Sequence, residues 1–376
     1  MGPLSPKSVM AHVSKVLVLS YIIDWVFIIG IALIGYGFYK QDPNHHAFYL
    51  TDPSISYPYK EKETVSTAAL ILASVLGPAV VVFVGAIFVP GTAAVGGQRP
   101  STSQLLLRKL WEWNAGWLGL GLALASAWTA TQGLKTLLGR PRPDFLGRCD
   151  PDLTQIAKYV VSGLGGKVSG APTLVDWKIC RNQDRTVRVD GFSSFPSGHS
   201  SFSFAGLGYL TLWLAAKCSV VFPYLPHFPV EGDDYSNDRA SIRNRGAAPP
   251  VLSMIIVFFP ACVAFFIAAS RWFDYRHHGW DIVAGSVIGI FFAWIGIRMY
   301  HLPLQRGAGW TWGPRSPRRA FVRGMGFPSS VGTDSWSYTH DNRAGFATNG
   351  IHSAEPVHDV ENIPMQGEQA FPVERV

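Results

Sequence analysis

The chain has 376 residues, 48% of them hydrophobic and 15% charged, and a formal net charge of +7. Soluble domains carry about 25% charged residues, so this chain lacks the polar cover of a water-facing globule and reads as a membrane protein. Much of its basic charge lies beside apolar segments, which points to anionic lipid headgroups and a phosphate-bearing substrate and away from nucleic acid.

A helix needs about 20 apolar residues to cross a bilayer. Such runs are predicted, in order, at Val16–Tyr39, Thr67–Val89, Asn114–Leu134, Ser200–Val221, Val251–Ser270 and Trp280–Tyr300. The first follows Lys7 and Lys15 as a signal peptide would, but it is too long and has no small-residue cleavage site, so it reads as a retained span. The expected fold is an all-α membrane protein, a six-transmembrane helical bundle over residues 1–300. An even number of spans places both termini on one side. Arg99, Arg108 and Lys109, then Arg239, Arg243 and Arg245, then Arg298, Arg306, Arg315, Arg318 and Arg319 mark that side as cytoplasmic. Residues 301–376 turn to Gly, Ser, Pro and Arg without apolar periodicity and read as a cytoplasmic, disordered tail. Asp24, inside the first span, is a costly intramembrane acid whose partner is not legible; an interhelical hydrogen bond and a substrate role both fit.

The opposite side receives the loops near 40–63, 135–199 and 271–279. Cys149 and Cys180 share the longest of these and could pair if it meets an oxidising compartment, while Cys218 and Cys262 lie in or beside apolar runs and read as inert. Lys135-Thr-Leu-Leu-Gly-Arg140-Pro-Arg142-Pro143 closes the third span, and its prolines hold Arg142 on an extended segment. Taken alone it also fits cations snorkelling at an interface. Pro196-Ser197-Gly198-His199 opens the fourth span, where free N–H groups and the helix dipole favour an anion; an N-cap with an incidental histidine is the alternative. Ser270-Arg271-x5-His277-x3-Asp281 joins the last two spans. If the last helix has already begun, His277 and Asp281 share a face, as an oriented nucleophile or as a structural pair. Topology brings all three clusters to one side of the bundle, where three cations and a helix N-terminus can hold a phosphate and the charge of its transition state.

These three motifs, complete and in order, resemble the signature of the type 2 phosphatidic acid phosphatase superfamily, which includes lipid phosphate phosphatases and, as soluble cousins, vanadium-dependent haloperoxidases. The wording Gly139-Arg-Pro-Arg142-Pro-Asp144-Phe145 and Asp274-Tyr-Arg-His277-His278 looks most like fungal diacylglycerol pyrophosphate and phosphatidate phosphatases. The resemblance implies a metal-independent lipid phosphate phosphatase without a cofactor, acting on phospholipid substrate in the bilayer from the lumenal or extracellular side. It implies that Lys135, Arg142, Ser197, Gly198, His199 and Arg271 bind phosphate, that His277 attacks phosphorus oriented by Asp281, and that His199 protonates the leaving group. Phosphatidate, lysophosphatidate, diacylglycerol pyrophosphate, sphingoid-base phosphates and polyprenyl diphosphates all remain open as substrates. A silent relative that only binds lipid phosphates would be expected to lose a histidine or arginine, and none is missing. Asp150-Pro-Asp152-Leu-Thr154 fits the Asp-x-Asp-x-Thr pattern of magnesium-dependent phosphatases, but no buried strand precedes it. Asp274, Arg276 and His278 flank the third motif as supporting residues, with His278 disfavoured as nucleophile because Ile282 stands four residues on.

Overall fold

The computed structural model describes residues 14–88, 102–165, 167–218, 220, 250–302, 311–315 and 320–321. Long helices stand at all the expected places: α1 (Lys15–Lys40), α2 (Thr67–Phe88), α3 (Thr102–Leu138), then α6 (Gly198–Lys217), α7 (Val251–Phe273) and α8 (Gly279–Tyr300). Four of them, α1, α2, α7 and α8, are long and apolar enough to cross a membrane. Helices α3 and α6, although expected as spans, fall outside that group. The reason is their position. They form the middle of the bundle, α3 between α1 and α8, and α6 among α8, α7, α3 and α2, so they carry small and polar residues where the outer helices carry lipid-facing ones. Phe27, Phe88, Phe259 and Trp280 point outward, more than 60% exposed, whereas Ser200, Ser201, Ser203, Ala205 and Gly206 on α6 are buried.

The middle packs by close backbone approach. On α8, Gly285 lies against the Ser197 carbonyl, Gly289 against that of Ser201 and Gly296 against that of Gly119. Pro78 cannot donate to the Ser74 carbonyl one turn earlier in α2, and the helix widens to a π-turn at Leu72–Leu76. The Ser74 carbonyl presses on Gly206 of α6, where any side chain would collide. Around these contacts lies a core of Val82, Leu120, Leu124, Tyr209, Leu210, Trp213 and Ile297.

Residues 41–66, 139–165 and 167–197 form a cap over one end. A small antiparallel sheet of β1 (Phe48–Tyr49), β3 (Thr173–Val175) and β2 (Val160–Gly163), in that order, pairs Phe48 with Val175 and Val160 with Val175. Short helices α4 (Phe145–Cys149) and α5 (Ile156–Tyr159) complete it. Its own core holds Phe48, Phe145, Val175, Val187 and Phe192, and a disulfide joins Cys149 to Cys180. At the opposite end Asp24 finds its partner in Arg315 at 2.6 Å. Residues 311–315 of the expected tail lie against the helices there, with Thr311 donating to Glu112 and Trp111 to the Trp312 carbonyl. Most of the rest of that tail lies outside the described residues.

Candidate active site

The three motifs meet beneath the cap. Helix α3 stops at Leu138, and Gly139, at φ +54°, turns the chain where the Asn44 backbone leaves no room for a Cβ. The extended segment that follows is pinned by Arg142 N–H donating to the Gly191 carbonyl at 2.9 Å and Ser194 N–H to that of Arg140 at 3.0 Å. Arg142 then donates from Nε to the Asp190 carbonyl at 2.7 Å, from Nη2 to the Asp190 carboxylate at 2.6 Å, and from Nη1 to the Arg276 carbonyl at 3.3 Å.

Ser197 caps α6, its Oγ accepting from Ser200 N–H at 3.3 Å, while its own N–H donates to the Asp281 carbonyl at 2.9 Å. The N–H groups of Gly198 and His199 are left without a protein partner among the described residues, at the positive end of the helix dipole. Gly198 faces Lys135, whose Nζ lies 3.4 Å from where a Cβ would stand. His199 Nε2 is 3.1 Å from the Val65 carbonyl; a carbonyl only accepts, so Nε2 carries the proton and Nδ1 is left to exchange one.

Between α7 and α8 the chain reverses through Tyr275, a non-glycine residue at φ +55° whose ring stacks on Tyr57 at 4.9 Å. The reversal buries Arg271, Arg276 and His277. His277 Nδ1 donates to the Ser194 carbonyl at 2.6 Å, which fixes the tautomer and leaves the Nε2 lone pair free.

The expected His277–Asp281 pair is not the one formed. Helix α8 begins at Gly279 with His278 as its N-cap, so His277 precedes the helix and the one-turn spacing does not apply. Asp281, fully buried, instead accepts from the His278 N–H at 2.9 Å, Ser194 Oγ at 2.5 Å and Arg140 at 2.8 Å, with His278 Nδ1 at 3.1 Å. It reaches His277 only through Ser194. His278 thus has its carboxylate at three residues' distance, not four.

The electrostatics favour an incoming anion. Burial, with Arg142, Lys135 and Arg271 nearby, holds the His277 imidazole well below its ordinary pKa and therefore neutral. Burial lowers Arg142 to about 10, still a cation, against the opposing pull of Asp190. Asp190 itself is raised by burial, but Arg142 and Arg148 outweigh that and keep it ionised. Sequence reasoning missed Asp190 and Glu63. Asp190 joins Arg142, Arg148 and Arg276. Glu63 lies 3.2 Å from Arg271, 3.4 Å from Arg276 and 3.9 Å from His199. Their only trace was arithmetic, since a cluster of buried arginines requires carboxylates. Asp150 and Asp152 belong to the cap loop, where Asp152 accepts from Thr154, away from these groups. Among the described residues no group of His, Cys, Asp or Glu is arranged to hold a metal ion.

The family model described as PAP2 superfamily matches residues 116–303, a stretch that contains every motif residue above. The chain belongs to the PAP2 superfamily. It is an integral membrane phosphatase, similar to named lipid phosphatases of fungi and a plant. Diacylglycerol pyrophosphate phosphatase 1 of Saccharomyces cerevisiae is 31% identical over 285 residues, 75% of this chain and 80% of that protein. The probable diacylglycerol pyrophosphate phosphatase 1 of Schizosaccharomyces pombe is 30% identical over 75% of this chain and 82% of its own. Probable lipid phosphate phosphatase 4 of Arabidopsis thaliana is 28% identical over 77% and 75%. No solved structure matches the chain.

Proposed function

We propose that this protein is a metal-independent lipid phosphate phosphatase that cleaves phosphate monoesters or diphosphates of lipids through a phosphohistidine on His277. One observation carries the reading: a buried, neutral His277 with Nε2 free, surrounded by the charges of Arg142, Lys135 and Arg271. The substrate phosphate is held by these cations and by the N–H groups of Gly198 and His199, with Ser197 fixing the turn. Nε2 of His277 attacks phosphorus, the N–P bond forms as the ester P–O bond breaks, and Nδ1 of His199, which takes up a proton as the phosphate anion binds, gives it to the departing oxygen. Water then attacks phosphorus, its proton passes to His199, and the P–N bond breaks to release inorganic phosphate. The cations stabilise the charge gathered on the equatorial oxygens at both steps.

All six long helices cross the bilayer in this reading, and the cap lies in the lumen or outside the cell, where the Cys149–Cys180 bond is stable. Phosphatidate, diacylglycerol pyrophosphate and lysophosphatidate are the substrate class of this reading; the names of two relatives support the diphosphate and that of a third supports lipid phosphates in general. The test is rapid, acid-free quenching of enzyme with excess chelator present, followed by mass spectrometry. Phosphate is expected on His277, with none trapped in His277→Ala, and some retained in His199→Ala when nitrophenyl phosphate supplies an easy leaving group. Phosphate on His199 or His278, or strict magnesium dependence, refutes the mechanism.

A further inference from the structure

Beside the phosphate site a cavity of about 330 Å³ opens between the end of α1, the end of α3 and the cap, its wall including Phe38, Tyr39, Gln41, Lys135, Arg185 and Asp190. The arginines of the cap differ in one respect. Arg140, Arg142, Arg148, Arg181 and Arg188 each contact a carboxylate. Arg185 forms no ion pair or hydrogen bond among the described residues; its guanidinium rests on the Tyr39 ring, 5.8 Å from the centroid. The Lys135 ammonium on the same wall is likewise unpaired among the described residues. The carboxylate on that wall, Asp190, is already engaged by Arg142 and Arg148. A wall on which Arg185 and Lys135 lack a carboxylate partner, and whose one acid is already engaged by two arginines, is suited to an anion.

We propose that this cavity is a second anion subsite, and that Arg185 and Lys135 hold there the inner phosphate of a lipid diphosphate while the terminal phosphate lies at His277. The inference rests on the phosphatase reading above and narrows its substrate class. Lys135, which also faces Gly198, is shared between the two phosphates. As the N–P bond forms at His277, the bridging P–O bond breaks and the departing group is a phosphate monoester, which the subsite holds and whose charge it offsets. Phe38 and Tyr39 give the cavity an apolar edge at the end of α1, where acyl chains would leave toward the bilayer.

The test compares kcat/KM for diacylglycerol pyrophosphate and phosphatidate in the same mixed micelles. Removing a charge-assisted hydrogen bond that only the diphosphate makes should lower the diphosphate-to-monoester ratio about ten-fold or more in Arg185→Ala, with partial recovery in Arg185→Lys. In parallel, methylenediphosphonate should compete more strongly than inorganic phosphate in the wild type and lose that advantage in both variants, more so with alanine. An unchanged ratio, or an equal fall on both lipids, overturns the subsite. So does a wild type that hydrolyses phosphatidate but not the diphosphate, an outcome that leaves the phosphatase reading standing. Hydrolysis of neither lipid, with no phosphoenzyme, refutes both.

Discussion

Replacing Gly285 by alanine tests whether close helix packing sets the geometry of the proposed phosphate site. A Cβ at Gly285 would stand 2.5 Å from the Ser197 carbonyl oxygen and 3.2 Å from Ser200 Cβ, where ordinary contact begins at 3.4 Å. The difference, 3.4 − 2.5 = 0.9 Å, cannot be absorbed by a side-chain rotation, because the obstacle is backbone. Either α8 or the Ser197–His199 turn must move, and a displacement of about 1 Å at a catalytic group costs roughly 100-fold in rate. The expected result is a fall of about 100-fold in kcat/KM for phosphatidate, with an overpacking cost of about 1–3 kcal/mol in stability. Gly289→Ala serves as the control. It meets the Ser201 carbonyl one turn deeper, so it should lose comparable stability but much less rate per folded molecule, as counted by phosphoenzyme stoichiometry. If Gly285→Ala folds and retains about a third or more of wild-type kcat/KM, the inference from 1 Å misplacement is refuted.

Further predictions concern the groups around His277. Because Asp281 acts through Ser194, Asp281→Asn should lower kcat about 10- to 100-fold, short of the roughly 10⁴-fold loss that follows removal of a carboxylate bonded directly to the imidazole; single-turnover phosphorylation measures it, and a 10⁴-fold loss would restore direct contact. Burial and neighbouring cations depress the His277 pKa, so His277 stays unprotonated in the free folded enzyme as pH falls through the ordinary histidine range near 6.5. The acid limb of kcat/KM for nitrophenyl phosphate should therefore fall below pH 6.5, and a midpoint at or above it contradicts the assignment. By linkage, the unfolded chain takes up that proton first, so this group's contribution to stability declines on acidification below about 6.5. Reduction of Cys149–Cys180, which closes a loop of sequence separation 31, should cost the cap about 4 kcal/mol by the chain-entropy relation. A thermal midpoint unmoved by reductant, with thiol release verified, would count against that figure.

The helices were legible because lipid-facing residues write their burial as long apolar runs; Val251–Ser270 and the observed Val251–Phe273 differ only at the last turn. The motifs were legible because proline and glycine fix where Arg142 and His199 must stand. The orientation of His277 was not. Its spacing to Asp281 suits a helix, and only the structure shows that His278 caps α8 and leaves His277 outside it. Nor could Glu63, in the run Lys60-Glu-Lys-Glu63, be distinguished from solvated charge, since its value lies in contacts to Arg271 and Arg276 more than 200 residues away. Arg315, the partner of Asp24, is separated from it by 291 residues and lies in a segment without periodicity.

The placement of the two least apolar long helices in the middle of the bundle bears on how the protein is made. Helices α3 and α6, which carry Lys135 and His199, are the ones whose composition least favours leaving an aqueous channel for lipid. Thr131 and Ser201 bond each other across the two helices at 2.8 Å, and the glycines of α8 press directly on the α6 backbone at Ser197 and Ser201. Helix α3 is synthesised after α1 and α2, which supply it with an apolar surface, but α6 emerges before α7 and α8, the neighbours it touches most. If all six long helices span, as proposed above, biogenesis must hold α6 until the C-terminal helices arrive, and the Ser197–His199 turn at its head is assembled only when α8 is in place.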